Sequence, residues 1–323
     1  MKTQSVSLMP SPTEGGIPNI PRRTTDPMPD PVLWFEAMGL AALVSFATLM
    51  AVVWPGRGRV QRPAALGPTT ALALGIAAGC AILGIHPRWP LAEDQDRLLA
   101  IVLPMALGVE LATAFARPRW LAWTGRLLVV GLTGRILLHG SSYITDLVGP
   151  GSREWPPGTA ATVFAGLAAA QLALWFFPWR LALRTPDASH TAVLAIVTFG
   201  TALVVMLSGY ATGGLIGLPI AAALAGFSAA ELLMPRPACR RGPFLAAATG
   251  LTSLLMIGRF FGELATPDAI LLGSAPLLGW LPELVPTKRL SPRARASIRI
   301  TLAALLVSAV VAHAGWQFAR TSY

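Results

Sequence analysis

Residues 191–234 decide the class of fold, and they read TAVLAIVTFGTALVVMLSGYATGGLIGLPIAAALAGFSAAELLM. Glu231 is the only charged residue in this stretch. A helix that crosses the hydrocarbon core of a bilayer needs about 20 apolar residues, so the stretch is long enough for two crossings. The pair Gly213-Gly214 is predicted to separate them, because glycine interrupts a helical pattern. We therefore predict two consecutive membrane spans here.

The composition of the whole chain points to the same environment. Of the 323 residues, 54% are hydrophobic and 12% are charged, and the mean hydropathy is +0.60. Soluble domains carry roughly 25% charged residues, about twice as many. A soluble domain of this size would leave too much apolar surface in water. The sequence predicts an all-α polytopic protein of the cell membrane (inner or plasma), with the lipid bilayer as its surroundings.

Ten segments have the length and apolar character of membrane spans. They are residues 33–54, 65–85, 98–116, 120–140, 160–179, 191–212, 213–234, 244–263, 269–285 and 298–316. The ninth carries Pro276 and Pro282, so it is predicted to be bent or partly re-entrant. Residues 1–31 are rich in proline and are predicted to form a disordered exoplasmic tail, while residues 32–323 form a single transmembrane domain.

Basic residues alternate between the two sides of this arrangement. The loops after odd-numbered spans contain 14 Lys and Arg residues, and the other loops with both tails contain 7. Because cytoplasmic loops carry the excess of Lys and Arg, both termini are predicted to be exoplasmic. The net charge of +10 is thus a sign of topology, and its scattered pattern argues against nucleic acid as a partner. The tryptophans lie near span ends and are predicted to be interfacial anchors.

An internal duplication is predicted from a weak echo at an offset of 121 residues. Glu110 aligns with Glu231, and Arg135 aligns with Arg259 once three residues are inserted. Because an even number of spans preserves orientation, the two units would be parallel repeats flanked by the first and last spans. The units would cover residues 64–184 and 188–286. Chance alignment of Ala- and Leu-rich helices is the alternative.

Charged or titratable side chains within spans are the candidates for a solute or ion pathway, because a charge near the bilayer centre costs about 2.5–3.5 kcal/mol on insertion scales. The candidates are Glu110, Arg126, Arg135, His139, Glu231, Arg259 and Glu263. The two arginines at outer span ends, Arg135 and Arg259, would suit an anionic group. The alternative is that these charges form structural ion pairs. In the first half of the chain, Arg126 would pair with Glu110. In the second half Arg259 would pair with Glu263.

Three histidines, His86, His139 and His313, fall at outer span ends. Together they could bind a metal or ligate a tetrapyrrole, but no span holds two histidines, and an interfacial position is favoured. We therefore predict no cofactor and no metal site. The acidic run from Glu93 to Asp96 is typical of a solvated turn. The GxxxG pairs, Gly75 with Gly79 and Gly213 with Gly217, predict close helix packing within the chain.

Three functions are compatible with these features. The first is a carrier for a small, anionic solute, based on the spans, the repeat and the intramembrane charges. The second is a non-catalytic subunit or scaffold whose partners are neighbouring membrane subunits, based on short loops and few polar residues. The third is a membrane-embedded enzyme acting on lipid-linked substrates. No catalytic residues are predicted, because the chain contains no CxxC, HExxH, GxxxxGK[ST] or GxSxG motif.

Overall fold

A computed structural model describes residues 30–53, 63–115, 118–141, 143–144, 155–185, 187–233, 243–284 and 290–321. Every regular element within these ranges is helical, and none is a strand. The predicted all-α class is therefore confirmed for the described ranges. The predicted tail, residues 1–31, lies outside them except for its last two residues.

The helices follow the predicted order of apolar segments. They are α1 (Pro31–Val53), α2 (Pro63–Ile82), α3 (Asp94–Arg97), α4 (Leu103–Phe115), α5 (Arg119–Leu137), α6 (Pro157–Arg184), α7 (Ser189–Leu207), α8 (Ala211–Leu233), α9 (Phe244–Phe260), α10 (Thr266–Ser274), α11 (Leu281–Leu284) and α12 (Pro292–Thr321). A π-helical segment, Leu98–Val102, joins α3 to α4, and a 3-10 helix, Ala275–Trp280, joins α10 to α11.

Within the described ranges, five helices are long and apolar enough to cross a membrane, namely α1, α6, α7, α8 and α12. These five apolar helices indicate a membrane protein. The apolar parts of α2 and α9, Leu66–Ile82 and Phe244–Phe260, are shorter. At 1.5 Å per residue such a helix spans about 26 Å, slightly less than the hydrocarbon core of about 30 Å.

The ninth predicted segment is broken, in agreement with its prolines. Its place is taken by α10, the 3-10 helix and α11, and Pro276 stands in the first turn of the 3-10 helix. Proline lacks the N–H that would continue the α-helical hydrogen bonds, so the chain changes its helical form there. The third predicted segment is also irregular, because the π-helical segment interrupts it.

The predicted position of the break between the sixth and seventh spans was wrong. The turn falls at Gly209, whose φ is +85°, a value that suits glycine. Gly213 and Gly214 instead lie inside the first turns of α8. A Cβ on Gly214 would come within 2.6 Å of the carbonyl oxygen of Ala202 on α7. Gly214 therefore permits close packing of α7 on α8, and the pair does not end a helix.

Small residues bring α8 into close contact with α1 and α2, as the GxxxG pair predicted. A Cβ on Gly75 would lie 2.9 Å from the Cβ of Ala223 and 2.8 Å from the carbonyl oxygen of Ala41. A Cβ on Gly226 would overlap the backbone of Ala42. The share of the apolar window that is buried reaches 78% in α8, against 22% in α1. Helix α8 is thus a central helix, and α1 lies at the periphery.

The two ends of α7, at Ser189 and Leu207, mark two ends of the bundle. At one end Tyr210 hydrogen-bonds to Asp94, and the amide of Glu263 donates to the carbonyl oxygen of Ser208 at 2.9 Å. We call this the cavity end. At the other end Arg299 pairs with Asp187. We call this the ion-pair end.

Candidate functional site

Glu110 and Arg126 form the structural pair that the sequence offered as an alternative to a pathway. The Arg126 Nη2 lies 3.2 Å from Glu110 Oε2, and the Glu110 side chain is 7% exposed. The other carboxylate oxygen, Oε1, accepts the amide of Leu245 at 3.2 Å. That amide belongs to the first turn of α9, where N–H groups lack intrahelical partners and negative charge is favoured. Glu110 therefore joins α4, α5 and α9.

Trp175 supports the same pair from α6. Its ring centroid lies 5.4 Å from the Arg126 guanidinium carbon, a cation–π distance, and the residue is 1% exposed. Trp123 meets it edge-to-face with ring centroids 5.2 Å apart. The prediction of interfacial anchors is therefore wrong for Trp175, which packs inside the protein because a charged partner sits on its ring.

Glu231, the predicted counterpart of Glu110, has a different partner. Its Oε2 accepts the hydroxyl of Thr191 at 2.5 Å, and Thr191 also donates to the carbonyl oxygen of Ala188 at 3.0 Å. Both glutamates lie toward the ion-pair end, since Glu110 contacts the first turn of α9 and Glu231 contacts the first turn of α7. Their contacts do not repeat, and the internal duplication stays a prediction.

The predicted outer cluster does not come together as a unit. Arg259 is exposed, and its Nε donates to Thr266 Oγ1 at 2.8 Å. The Nε atom of Arg259 thus contacts Thr266 and not Glu263, the partner that the sequence suggested. Arg135 is partly buried on α5, and His139 lies at the cavity end just after that helix. A pathway through these residues stays a prediction.

The histidines have local partners. His86 Nδ1 lies 2.8 Å from the carbonyl oxygen of Gly84, and His313 Nδ1 lies 3.3 Å from the carboxylate of Asp268. No group of three His, Cys, Asp or Glu residues that could hold a metal occurs in the part of the chain that the structure describes. The prediction of no cofactor at His86, His139 and His313 stays a prediction.

A cavity of about 250 Å³ opens at the cavity end. The residues that shape it are Asp94, Arg97, His139, Tyr210, Thr212 and Phe261. They come from α3, from just after the end of α5, from the turn between α7 and α8 together with the first turn of α8, and from the residue after α9. The cavity therefore lies where four parts of the chain meet.

Asp94 is the buried carboxylate of this cavity. It is 5% exposed, and its Oδ1 accepts the hydroxyl of Tyr210 at 2.8 Å. Its Oδ2 is buried and has no hydrogen-bond partner. Burial raises the pKa of Asp94 above its ordinary value, and the Tyr210 hydrogen bond opposes that shift. Burial, and after it the nearby Asp94 carboxylate, also raises the pKa of the Tyr210 hydroxyl. The interpretation of this acidic run as a solvated turn is wrong.

Arg97 holds the backbone around the cavity. Its Nε donates to the carbonyl oxygen of Leu91 at 3.1 Å, and its Nη2 donates to that of Ala92 at 2.7 Å. Its Nη1 reaches the carbonyl oxygens of Leu137 and His139 at the end of α5. The last carbonyls of a helix lack intrahelical partners, so the guanidinium caps α5 and fixes α3 beside it. We name this set of contacts the Arg97 clamp.

The opposite end is held by Arg299, which the sequence did not single out. The residue is 1% exposed, and its guanidinium lies 2.8 Å from Asp187 Oδ2 and 2.5 Å from Glu283 Oε1. Its Nε also donates to the carbonyl oxygen of Gly279 at 3.2 Å. Arg299 is the second residue of the tenth predicted span, a place where long side chains ordinarily reach the interface. Asp187 lies in the loop between α6 and α7 and Glu283 lies in the short helix α11, so nothing in the local sequence pattern linked them to Arg299.

A buried amide links α6 to its neighbours between the two ends. Gln171 is 1% exposed, and its Nε2 donates to Thr249 Oγ1 at 2.9 Å and to Thr133 Oγ1 at 3.3 Å. Such bonds satisfy polar groups within a closely packed interior. Hydroxyl and amide side chains are common in apolar helices, so no sequence pattern singled out these three residues.

Comparison with protein-family models, with curated proteins and with solved structures finds no match. Fold alone does not define function, so the function has to be argued from the cavity and its residues.

Proposed function

We propose that this protein is a polytopic membrane carrier for a small solute, which binds in the cavity at the cavity end. The observation that carries the proposal is the placement of an open cavity of about 250 Å³ at one end of the bundle, while ion pairs join the helices at the other end. A carrier has a solute site that is open to one side at a time. An open cavity at one end and ion pairs at the other end support a state of the carrier that is open to one side.

Two further features support a carrier over a static scaffold. The cavity combines residues of the first half, Asp94 and His139, with residues of the second half, Tyr210 and Phe261. Carrier sites typically lie between two halves of a chain, beside interrupted helices. The π-helical segment directly follows α3, whose residues Asp94 and Arg97 line the cavity. Ten spans and two exoplasmic termini in the cell membrane complete the proposal.

Accessibility from both sides of the membrane tests the proposal without knowledge of the solute. Thr212 lines the cavity, so a Thr212→Cys variant in a background with Cys80→Ala and Cys239→Ala reports exposure of the cavity. We expect membrane-impermeant maleimides to label this cysteine from either face of oriented vesicles. The reason is that a carrier exchanges between a state open to one side of the membrane and a state open to the other, so the cysteine becomes accessible from both sides.

His86→Cys in the same background is the matched control. His86 is exposed in the loop that precedes α3, so it is expected to react from the exoplasmic face alone. Labelling of Thr212→Cys from that face alone would contradict a carrier and favour the scaffold. Labelling of His86→Cys from the cytoplasmic face alone would contradict the proposed topology.

A further inference from the structure

We propose that the cavity binds a small organic ammonium ion and that the carboxylate of Asp94 is its counter-ion. The inference rests on the proposed function, in that it takes the same cavity as the solute site, and it adds the chemical class of the solute. It departs from the anionic solute that Arg135 and Arg259 suggested in the sequence.

The first step is the state of the Asp94 carboxylate. Tyr210 supplies one hydrogen bond to Oδ1, and Oδ2 is buried without a donor. A buried carboxylate oxygen without a donor is costly, because water can no longer solvate it. A cationic N–H donor offers both the missing hydrogen bond and the opposite charge. The residue that needs a partner thus lines the cavity that could admit one.

The second step is the set of charged and titratable groups around Asp94. Those that line the cavity with it are Glu93, Arg97, His139 and Tyr210. The Arg97 guanidinium donates four of its five N–H groups to backbone carbonyls of the Arg97 clamp, and its single positive charge is outnumbered by the carboxylates of Asp94 and Glu93. Glu93 adds a second carboxylate, which disfavours an anion beside Asp94. The chemistry of this wall therefore favours a cation.

The third step separates an organic ammonium ion from a metal ion. Calcium requires six to eight oxygen ligands, and magnesium requires an octahedral set. No group of three potential ligand residues is found in the described part of the chain, and the nearby carbonyls serve Arg97. A primary ammonium group needs fewer acceptors, and its carbon chain can contact the rings of Tyr210 and Phe261. The volume of about 250 Å³ is large enough for several non-hydrogen atoms.

The test measures binding to the purified full-length protein in lipid nanodiscs by calorimetry. Three matched probes differ in charge at one end: 4-amino-1-butanol, 1,4-butanediol and 4-hydroxybutyrate. We expect the amine to bind and the other two to bind at least about tenfold more weakly. Asp94→Asn is expected to weaken amine binding about 10- to 100-fold, the range for a hydrogen bond to a charged group.

Asp96→Asn is the matched control. Asp96 belongs to the same short helix and has the same 5% exposure, but its Oδ1 accepts the amide of Arg88 at 3.1 Å. Because an asparagine oxygen can accept that bond as well, this variant is expected to bind the amine like the wild type. Tyr210→Phe provides a second test if Asp94→Asn does not fold, and it is expected to weaken binding about threefold to tenfold through loss of one hydrogen bond.

The outcomes separate this inference from the carrier. Preference for 4-hydroxybutyrate, absence of amine binding at millimolar concentration, or equal binding to the wild type, Asp94→Asn and Tyr210→Phe overturns the ammonium site. Displacement of the amine by sodium chloride but not by an equal concentration of choline chloride overturns the organic class in favour of a metal ion. Amine binding together with one-sided labelling of Thr212→Cys retains the site and contradicts the carrier. Two-sided labelling of Thr212→Cys without amine binding retains the carrier and contradicts the ammonium site.

Discussion

At the scale of single residues, Asp94 is a carboxylate that is buried although an ionised carboxylate prefers to be hydrated. An ionised carboxylate loses hydration when it is buried, and a single hydrogen bond from Tyr210 replaces only part of that hydration. The raised pKa of Asp94 expresses this cost, because it makes the neutral form easier to reach. In the ligand-free protein the charge on Asp94 therefore opposes the folded state.

The stability of the ligand-free protein is expected to depend on pH through this residue. Because the pKa of Asp94 is raised in the folded state, folding favours the protonated form of this carboxyl group. The stabilisation from the protonated form is fully present below the unfolded-state pKa, and it is lost as pH rises through the folded-state pKa. Asp94→Asn should therefore raise Tm at neutral pH, by about 2–4 °C for each kcal/mol of relieved cost. The difference from the wild type should shrink as the pH falls.

Thermal unfolding in detergent across a pH series measures this effect. Asp96→Asn is again the control, because its carboxylate has the Arg88 amide as a partner. A Tm difference between Asp94→Asn and the wild type that grew on acidification would contradict the argument.

The sequence could identify some residues of the two ends and not others. The pairing of Glu110 with Arg126 followed from two opposite charges at facing ends of consecutive helices, and the structure confirms it. Asp94 looked like part of a solvated turn, because nothing local indicates that Tyr210, more than a hundred residues later, comes to lie on it. Burial of this kind arises from the packing of distant segments, so local pattern does not reveal it.

At the scale of helices, small residues set the distances between axes. Gly226 lies where α8 meets the backbone of Ala42 on α1, and Gly75 lies where α2 meets both helices. Glycine costs up to about 1 kcal/mol relative to alanine inside a helix, and close approach of the backbones offsets that cost. The sequence indicated the Gly75 contact through its GxxxG spacing. Gly226 has no such partner four residues away, so its contact was not evident.

Replacement of Gly226 by alanine is expected to separate α1 from α8 and to destabilise the bundle. The added Cβ would overlap backbone atoms of Ala42, which cannot move aside as a flexible side chain can. Gly166→Ala on α6 is the matched control, since a Cβ there meets nothing within 4 Å. The control should be neutral or slightly stabilising, by up to about 1 kcal/mol.

Thermal stability of the two purified variants in the same detergent checks this prediction. Overpacking of a well-packed interior typically costs about 1–3 kcal/mol, and Gly226→Ala is expected in that range. Equal stability of Gly226→Ala and Gly166→Ala would show that α1 does not rest on α8 as closely as the structure places it.

At the scale of the whole molecule, a few long-range polar contacts join the first half of the chain to the second. Glu110 reaches the amide of Leu245, Asp94 receives Tyr210, and Gln171 donates to Thr249. The sequence could predict the class of fold and the order of the helices, since these follow from apolar length. It could not predict these contacts, because each depends on which helices become neighbours across the bundle.

Loss of Glu110 is expected to weaken the connection between the halves. Glu110→Ala leaves the Arg126 guanidinium with its ring contact to Trp175 but without its carboxylate, and it leaves the Leu245 amide without its acceptor. Removal of one partner from a buried ion pair costs about 3–5 kcal/mol. Glu110→Gln should cost less, because its amide oxygen can still accept from Leu245.

The ranking of the wild type above Glu110→Gln above Glu110→Ala in thermal stability checks this expectation. Arg293→Ala is a suitable control, since Arg293 is an exposed basic residue in the first turn of α12. A Glu110→Ala protein as stable as that control would mean that the pair contributes nothing to the bundle.

The Arg97 clamp has a consequence for how the rim of the cavity opens. On one side of the rim, Arg97 of α3 donates to two carbonyl oxygens at the end of α5, those of Leu137 and His139, and to two in the segment before α3, so these parts are tied into one block. On the other side, the Tyr210 hydroxyl is joined to that block by one hydrogen bond to Asp94, next to the turn at Gly209. We therefore expect the rim to open by movement of the Gly209 turn, because fewer hydrogen bonds hold that side to the block. The hydrogen bond between Tyr210 and Asp94 is then the contact that has to break when the cavity opens.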